Sequence, residues 1–264
     1  MLTRVRRLVV VAILAISTLS ISAAPVAATH SLGSCNDNQY NTHAYIQRGV
    51  SGGVNDYEAD VLVRDTYPCK NNIWGVDHGS SLVLPVNIQG NGVIMQLGYG
   101  RVGTQASGDE DLNWYYTAWG ANGSQVLSPI PSSFMNDPIP GHTYRLKVQY
   151  VSSIDRWRFY VDDLNDGAGN ALFIDGHIAA NHYGNEVWSG FENFDRNDLL
   201  GGSHAWTPIT NMNYQVVGST QNDYLNGVHT LWVLPTGGLG LKSTWHVQTS
   251  TTTDGRAMVR AYSD

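Results

Sequence analysis

Charge is scarce in this chain, and so are cysteine and long apolar runs. Of 264 residues, 14 % are charged and two are cysteine. Acidic residues number 22 against 15 basic ones, giving a formal charge of −7. That sign argues against nucleic acid and anionic membrane as main partners, because both demand a basic face. The one long apolar run is Leu8–Ile21, behind Arg4, Arg6 and Arg7. It is shorter than the roughly 20 residues needed to span a bilayer. Neither a His-Glu-x-x-His zinc motif nor a phosphate-cradling glycine loop occurs, so the two signatures with the clearest mechanics give no lead. No segment holds a sustained 3.6-residue apolar period, which leaves room for only a few short helices, with Ala171–Tyr183 the best place for one.

What is present points to export. A basic start, an apolar stretch and the small residues Val26-Ala27-Ala28 read as a signal peptide over residues 1–28, cut before Thr29. A cut after Ala24 is the alternative, disfavoured because it leaves Pro25 just past the scissile bond. The expected mature chain, residues 29–264, is one secreted domain with 12 basic and 22 acidic residues and no membrane attachment. In that setting the lone pair Cys35 and Cys69 reads as one disulfide rather than a metal site. No cofactor is called for, and the oligomeric state is not legible.

Strand signals fill the rest. Tyr144, Leu146, Val148 and Tyr150 alternate with Arg145, Lys147 and Gln149, the pattern of a strand with one buried face. Ser152–Asp155 turns the chain, and Trp157, Phe159 and Val161 return inward. Asp162–Asn170 resembles a calcium loop, but Leu164 and Phe173 fall where oxygen ligands belong, so a hairpin loop is the better reading. Further strands are expected at Tyr57–Val63, Ser81–Asn87, Val93–Gly100, Trp114–Trp119, Glu186–Asn193, Asn213–Val217, Val228–Leu234, Leu241–Gln248 and Ala257–Tyr262. About a dozen short strands between glycine, proline and asparagine clusters predict an all-β sandwich of two antiparallel sheets.

Two strands carry candidate chemistry. Gln96 shares a face with Ile94, Gly98 and Gly100, and glycines leave space for something to approach the sheet. Glu186, Trp188, Gly190 and Glu192 share another face, where carboxylates interleaved with tryptophan could line a cleft. Periodicity alone favours the plainer reading, in which both are solvated outer faces.

The order of short phrases adds to this. Tyr57-Glu58-Ala59-Asp60-Val61, Ser81–Val86, Ile94-Met95-Gln96-Leu97-Gly98, Tyr116-Thr117-Ala118-Trp119, Gly141-His142-Thr143-Tyr144 and Asn185-Glu186-Val187-Trp188 follow one another along the chain. Together they resemble the glutamic peptidase (eqolisin) family, secreted concanavalin-like β-sandwiches of jelly-roll type. The resemblance implies a glutamate that activates water and a glutamine that holds the oxyanion; by position these are Glu186 and Gln96. Glu192 is the reserve carboxylate. Two departures stand out. Gly120–Ser124 replaces an aromatic, acidic stretch, and Val187 separates Glu186 from Trp188, so Val187 takes the catalytic position if tryptophan sets the register.

Two functions remain in play. One is an exported acid endopeptidase using Gln96 and Glu186, with Trp114, Tyr116, Trp119, Trp188 and Glu192 lining the substrate. The other is a non-catalytic module that binds polysaccharide or another surface through Trp114, Tyr115, Tyr116 and Trp119.

Overall fold

Alternation of apolar side chains, most regular over residues 143–150 and 156–163, builds this protein as a stack of two antiparallel sheets. The computed structural model describes residues 42–67, 80–102, 112–119, 125–133, 135–176, 181–193, 199–200, 205–235 and 245–263. The expected leader, Cys35 and Cys69 lie outside the described residues.

The first sheet holds β14 (Trp232–Pro235), the first half of β1 (Thr42–Leu62), β10 (Gly184–Asn193), β3 (Ser80–Gly90), β4 (Val93–Val102), β5 (Asn113–Trp119) and β6 (Gln125–Pro129), in that order. The second holds β9 (Ala168–Asp175), β8 (Arg156–Asp163), β7 (Thr143–Val151), the second half of β1, β12 (Thr207–Val216), β16 (Ala257–Ser263) and β15 (Trp245–Thr251). β13 (Asn222–Tyr224) pairs with β12, and the short β2 (Thr66–Tyr67) pairs with β11 (Leu199–Leu200).

β1 belongs to both sheets. Its pairing with β10 runs evenly from Thr42 to Gly49 and then breaks before Val54. From Val54 onward β12 pairs on one side, joined from Asp56 by β7 on the other. Gly52 and Gly53 take φ of 92° and 83° at the break, a conformation open to glycine at little cost. The letters Gly49-Val50-Ser51-Gly52-Gly53 spell Gly-x-Ser-x-Gly, but the strand continues past them. They form a crossing bulge, not the strand-to-helix turn of a nucleophile elbow.

Between the sheets lies the main core. Met95, Leu97 and Tyr99 of β4 meet Leu146 and Val148 of β7 and Phe159 of β8, all buried in one cluster. The register explains the alternation, since Leu146 pairs with Val161, Val148 with Phe159 and Tyr150 with Trp157. The hairpin expected around Asp162–Asn170 joins β8 to β9.

Two sequence expectations are corrected. Residues 171–175, read as the best helix candidate, are strand β9: Leu172 and Ile174 pair with Phe159 and Trp157 and pack on the core. Tertiary pairing overrides local propensity there. Of Val228–Leu234, only the part from Trp232 is strand, and Val228 is exposed.

Candidate functional site

The face of the first sheet turned away from the core carries the candidate residues. Partners directly opposite in an antiparallel pair share a face, so the register assembles rows across β14, β1, β10, β3, β4 and β5.

One row is Gln47, Trp188, Asn87, Gln96 and Thr117. The next, one pleat away, is Gly49, Glu186, Gln89 and Ile94. On the other side of Gln96's row run Trp232, Tyr45, Gly190 and Leu84, with Gly98 and Tyr115 continuing that line beyond a bulge in β3. Beyond these lie His43, Glu192, Leu82, Gly100 and Asn113.

An apolar floor holds the rows together. Tyr45, Leu82, Leu84, Tyr115 and Trp188 form a second buried cluster, separate from the main core. Tyr45 and Trp188 rings meet at 5.2 Å. Gly98 has no room for a side chain: a Cβ there would lie 2.2 Å from the Val83 carbonyl oxygen and 2.9 Å from Leu84 Cδ2. Its bareness lets Leu84 cover the centre of the face. Trp232, half exposed, marks the β14 edge of the same line.

Polar groups sit around this floor. Gln89 Nε2 donates to Glu186 Oε2 at 2.9 Å. Asn87 is fully buried, and among the described residues neither its amide nitrogen nor its carbonyl oxygen has a hydrogen-bond partner. An unsatisfied buried amide is costly, so such a group calls for an explanation. Glu192 is 8 % exposed, and burial pushes its carboxyl up to about 7. His43 Nε2 lies 3.5 Å from Glu192 Oε1, and burial pushes the imidazole below its ordinary value. Tyr45 is pushed up by burial and then by the Glu186 charge.

Gln96 and Glu186 therefore share a face but are not neighbours. Two strand intervals and one pleat separate them, which puts their Cα atoms about 12 Å apart from standard sheet spacings. Trp188, not a carboxylate, stands in Gln96's own row, with Asn87 between. Val187 is fully buried in the main core, so it does not take part in this face.

The other expected ligand residues divide. Trp188 and Glu192 lie on this face. Trp114 and Tyr116 do not: Trp114 is 1 % exposed in the main core, edge-on to Tyr99 and Tyr144, and donates its indole N–H to the Asn136 carbonyl. Tyr116 packs inward on Phe159. Both are packing residues because β5 turns its even positions to the core. Trp119 pairs with Ile94 in the β4–β5 register, and its side chain lies outside the described part. Sequence reading missed His43, Asn87, Gln89 and Trp232 as members of the site.

Comparison with known structures finds distant matches. The likeness is to glutamic peptidases. A structure of scytalidoglutamic peptidase with a peptide-based transition-state analogue covers 86 % of this chain and 99 % of its own, at 12 % identity and TM-score 0.47. SCP-B, a member of the eqolisin family in complex with the tripeptide Ala-Ile-His, covers the same shares at 12 % identity and TM-score 0.43. A xylan β-1,4-xylosidase from Bacillus halodurans covers 61 % of this chain and 25 % of its own, at 11 % identity and TM-score 0.26. No family model matches the sequence, and no curated protein matches it. Likeness of this degree carries no argument about the site, whose chemistry has to come from its own residues.

Among the described residues, one group could hold a metal ion. His142, Asp163 and Asp166 bring ligand atoms within 4.8 Å of one another at the β7–β8–β9 end of the second sheet. His142 Nδ1 and Asp163 Oδ2 already pair at 2.8 Å, and the Asn165 N–H donates to Asp163 Oδ1. Those bonds engage His142 and Asp163, and Asp166 is exposed.

Proposed function

We propose that this protein is exported and binds extended polypeptide across the outer face of its first sheet. The observation that carries this reading is the amide row. Gln47, Asn87 and Gln96 stand in one row over four strands, with Trp188 between Gln47 and Asn87, and Asn87 is unsatisfied among the described residues. A side-chain amide offers the same donor and acceptor as a peptide bond. Neighbouring Tyr45, Leu84 and Tyr115 supply apolar contacts for alternate side chains, which is how strand-like ligands gain specificity. Asn87 is fully buried, so a neighbouring side chain must shift before a ligand reaches it, and ligand bonding would offset that movement. The leader over residues 1–28 and the acidic composition fit an extracellular site of action.

A second reading, acid endopeptidase activity, is favoured by one specific observation: Gln96 and Glu186 are both half-buried on this same face. In that mechanism a water held between them attacks the peptide carbonyl carbon. Glu186 takes the water's proton, and the Gln96 amide N–H donates to the oxyanion. Collapse of the tetrahedral intermediate breaks the C–N bond, and Glu186 returns the proton to the departing amine. Gln89 holds the carboxylate in place for this cycle. The 12 Å spacing estimated above leaves a gap that both side chains must reach into.

One experiment separates the readings. Wild type, Glu186→Gln and Gln96→Ala are incubated with an unfolded protein at acidic pH, and binding of the same protein is measured in parallel. Binding without cleavage, weakened by Gln96→Ala, supports the recognition role. Cleavage lost in both variants supports the peptidase. Neither binding nor cleavage, or binding to a polysaccharide panel instead, would overturn the polypeptide assignment.

A further inference from the structure

The crossing of β1 from one sheet to the other leaves a cavity of about 170 Å3 lined by Arg48, Tyr214, Tyr224, Leu225, Asn226 and His229. It lies apart from the face described above. Arg48 is the next-to-last residue in regular register with β10, opposite Val187. Its exposed guanidinium has no ion-pair or hydrogen-bond partner among the described residues. By contrast, Arg101, Arg145 and Arg256 each hold an aspartate.

His229 faces the same space. Its Nε2 is buried and without a hydrogen-bond partner. Burial, and then the Arg48 charge, hold the imidazole below its ordinary value, with the nearby backbone of Asn226 and Gln47 offsetting part of that. No carboxylate contributes to that balance, and none is among the residues that line the space with Arg48 and His229. In a chain of formal charge −7 this is an unusual spot.

The far wall is rigid. Leu225 N–H donates to the Met212 carbonyl, Gly227 N–H to Gly255, and Ala257 N–H to Leu225, fixing the segment against β12 and β16. The Tyr224 ring is backed by Arg256, 4.0 Å from its centroid. Donors held on fixed elements lose little freedom when a ligand arrives.

We propose that this cavity binds a small oxyanion, a phosphate or carboxylate group, with Arg48 as the charged fork and His229 Nε2–H as second donor. A planar guanidinium can give two parallel hydrogen bonds to either kind of oxyanion. Nε2, when it carries a ring proton, gives a third, and the exposed Asn226 is also part of the lining.

The test titrates the whole chain with inorganic phosphate and, separately, with acetate, holding ionic strength constant with chloride so that screening does not mimic binding. The His229 ring resonance and thermal unfolding are followed. Expected results are a saturable shift of the ring signal, an upward move of the His229 pKa, and a rise in Tm with one of the two anions. The anion that acts distinguishes a tetrahedral from a planar ligand. Arg48→Ala should weaken binding by about tenfold or more, equivalent to some 1.4 kcal/mol, and Arg48→Lys should recover only part because it lacks the fork. An unmoved His229 signal with both anions, or equal binding by Arg48→Ala, would overturn the assignment. Should a variant fail to fold, the wild-type titration alone decides.

Discussion

Glu192 makes stability depend on pH in a direction opposite to that of an ordinary surface carboxylate. Its carboxyl sits under Leu82 and beside His43, and burial raises it from 4.5 to about 7. Between those values the folded protein holds a proton that the unfolded chain has released. Folding is therefore favoured as pH falls through this window, and stability declines as pH rises towards 7. Roughly two and a half pKa units at 1.36 kcal/mol each give about 3 kcal/mol across the window. His43 works the other way. Its lowered pKa contributes stability above the unfolded value of 6.5, which is lost as pH falls. The Glu192→Gln variant separates the two, because glutamine keeps the shape and cannot ionise. Urea unfolding of wild type and Glu192→Gln is measured from about pH 4.5 to about pH 8, where the carboxyl passes from protonated to ionised. Relative to wild type, the variant should gain about 3 kcal/mol over that range. Parallel stability curves would show that Glu192 is already ionised when folded, and the burial argument would fail.

Two further substitutions probe the architecture. Trp114→Ala should cost about 3–5 kcal/mol, as for other buried tryptophans, with no loss of ligand affinity beyond that of a destabilised fold. Unchanged stability in thermal unfolding would return Trp114 to the ligand face. Gly190→Ala places a Cβ 2.3 Å from the Ala44 carbonyl oxygen and 2.5 Å from Tyr45 Cβ. Because backbone cannot give way cheaply, the expected cost is about 1–3 kcal/mol, read from the urea midpoint, with weaker polypeptide binding as β1 and β10 part. A fully stable Gly190→Ala would mean that the β1–β10 register is not as described.

How much of this was legible in the sequence varies with how local the signal is. The faces of β4, β7 and β8 followed from alternation alone, since Met95, Leu97, Leu146, Val148 and Phe159 all went where the pattern put them. β5 defeated the same method. Trp114, Tyr115, Tyr116 and Thr117 offer large side chains to both sides, so parity is decided by Phe159 and Tyr144 on the opposite sheet. β9 failed for a related reason: its residues are mostly half-buried or exposed, and only pairing with β8 makes it a strand. His43 and Tyr45 enter the site through pairing with residues nearly 150 positions away. No window of sequence contains that information. Glu192 was visible as a carboxylate on the right face, but its burial depends on β1 and β3 closing around it.

The register also sets the terms on which hydrolysis could occur. Had a carboxylate stood at position 188, it would share Gln96's row, with only Asn87 between them. Trp188 fills that place and packs on Tyr45, so an aromatic ring rather than a base stands between Gln47 and Asn87 in that row. Glu186, one pleat further, is held by Gln89 on the adjoining strand. A water activated there would meet a carbonyl held by Gln96 only if the substrate crossed the sheet obliquely, passing above Asn87. The same oblique path brings a peptide bond over Asn87, whose buried amide has no hydrogen-bond partner among the described residues. Recognition and catalysis thus make the same demand on ligand direction, and they differ only in whether a water fits beside Glu186 once the ligand is seated.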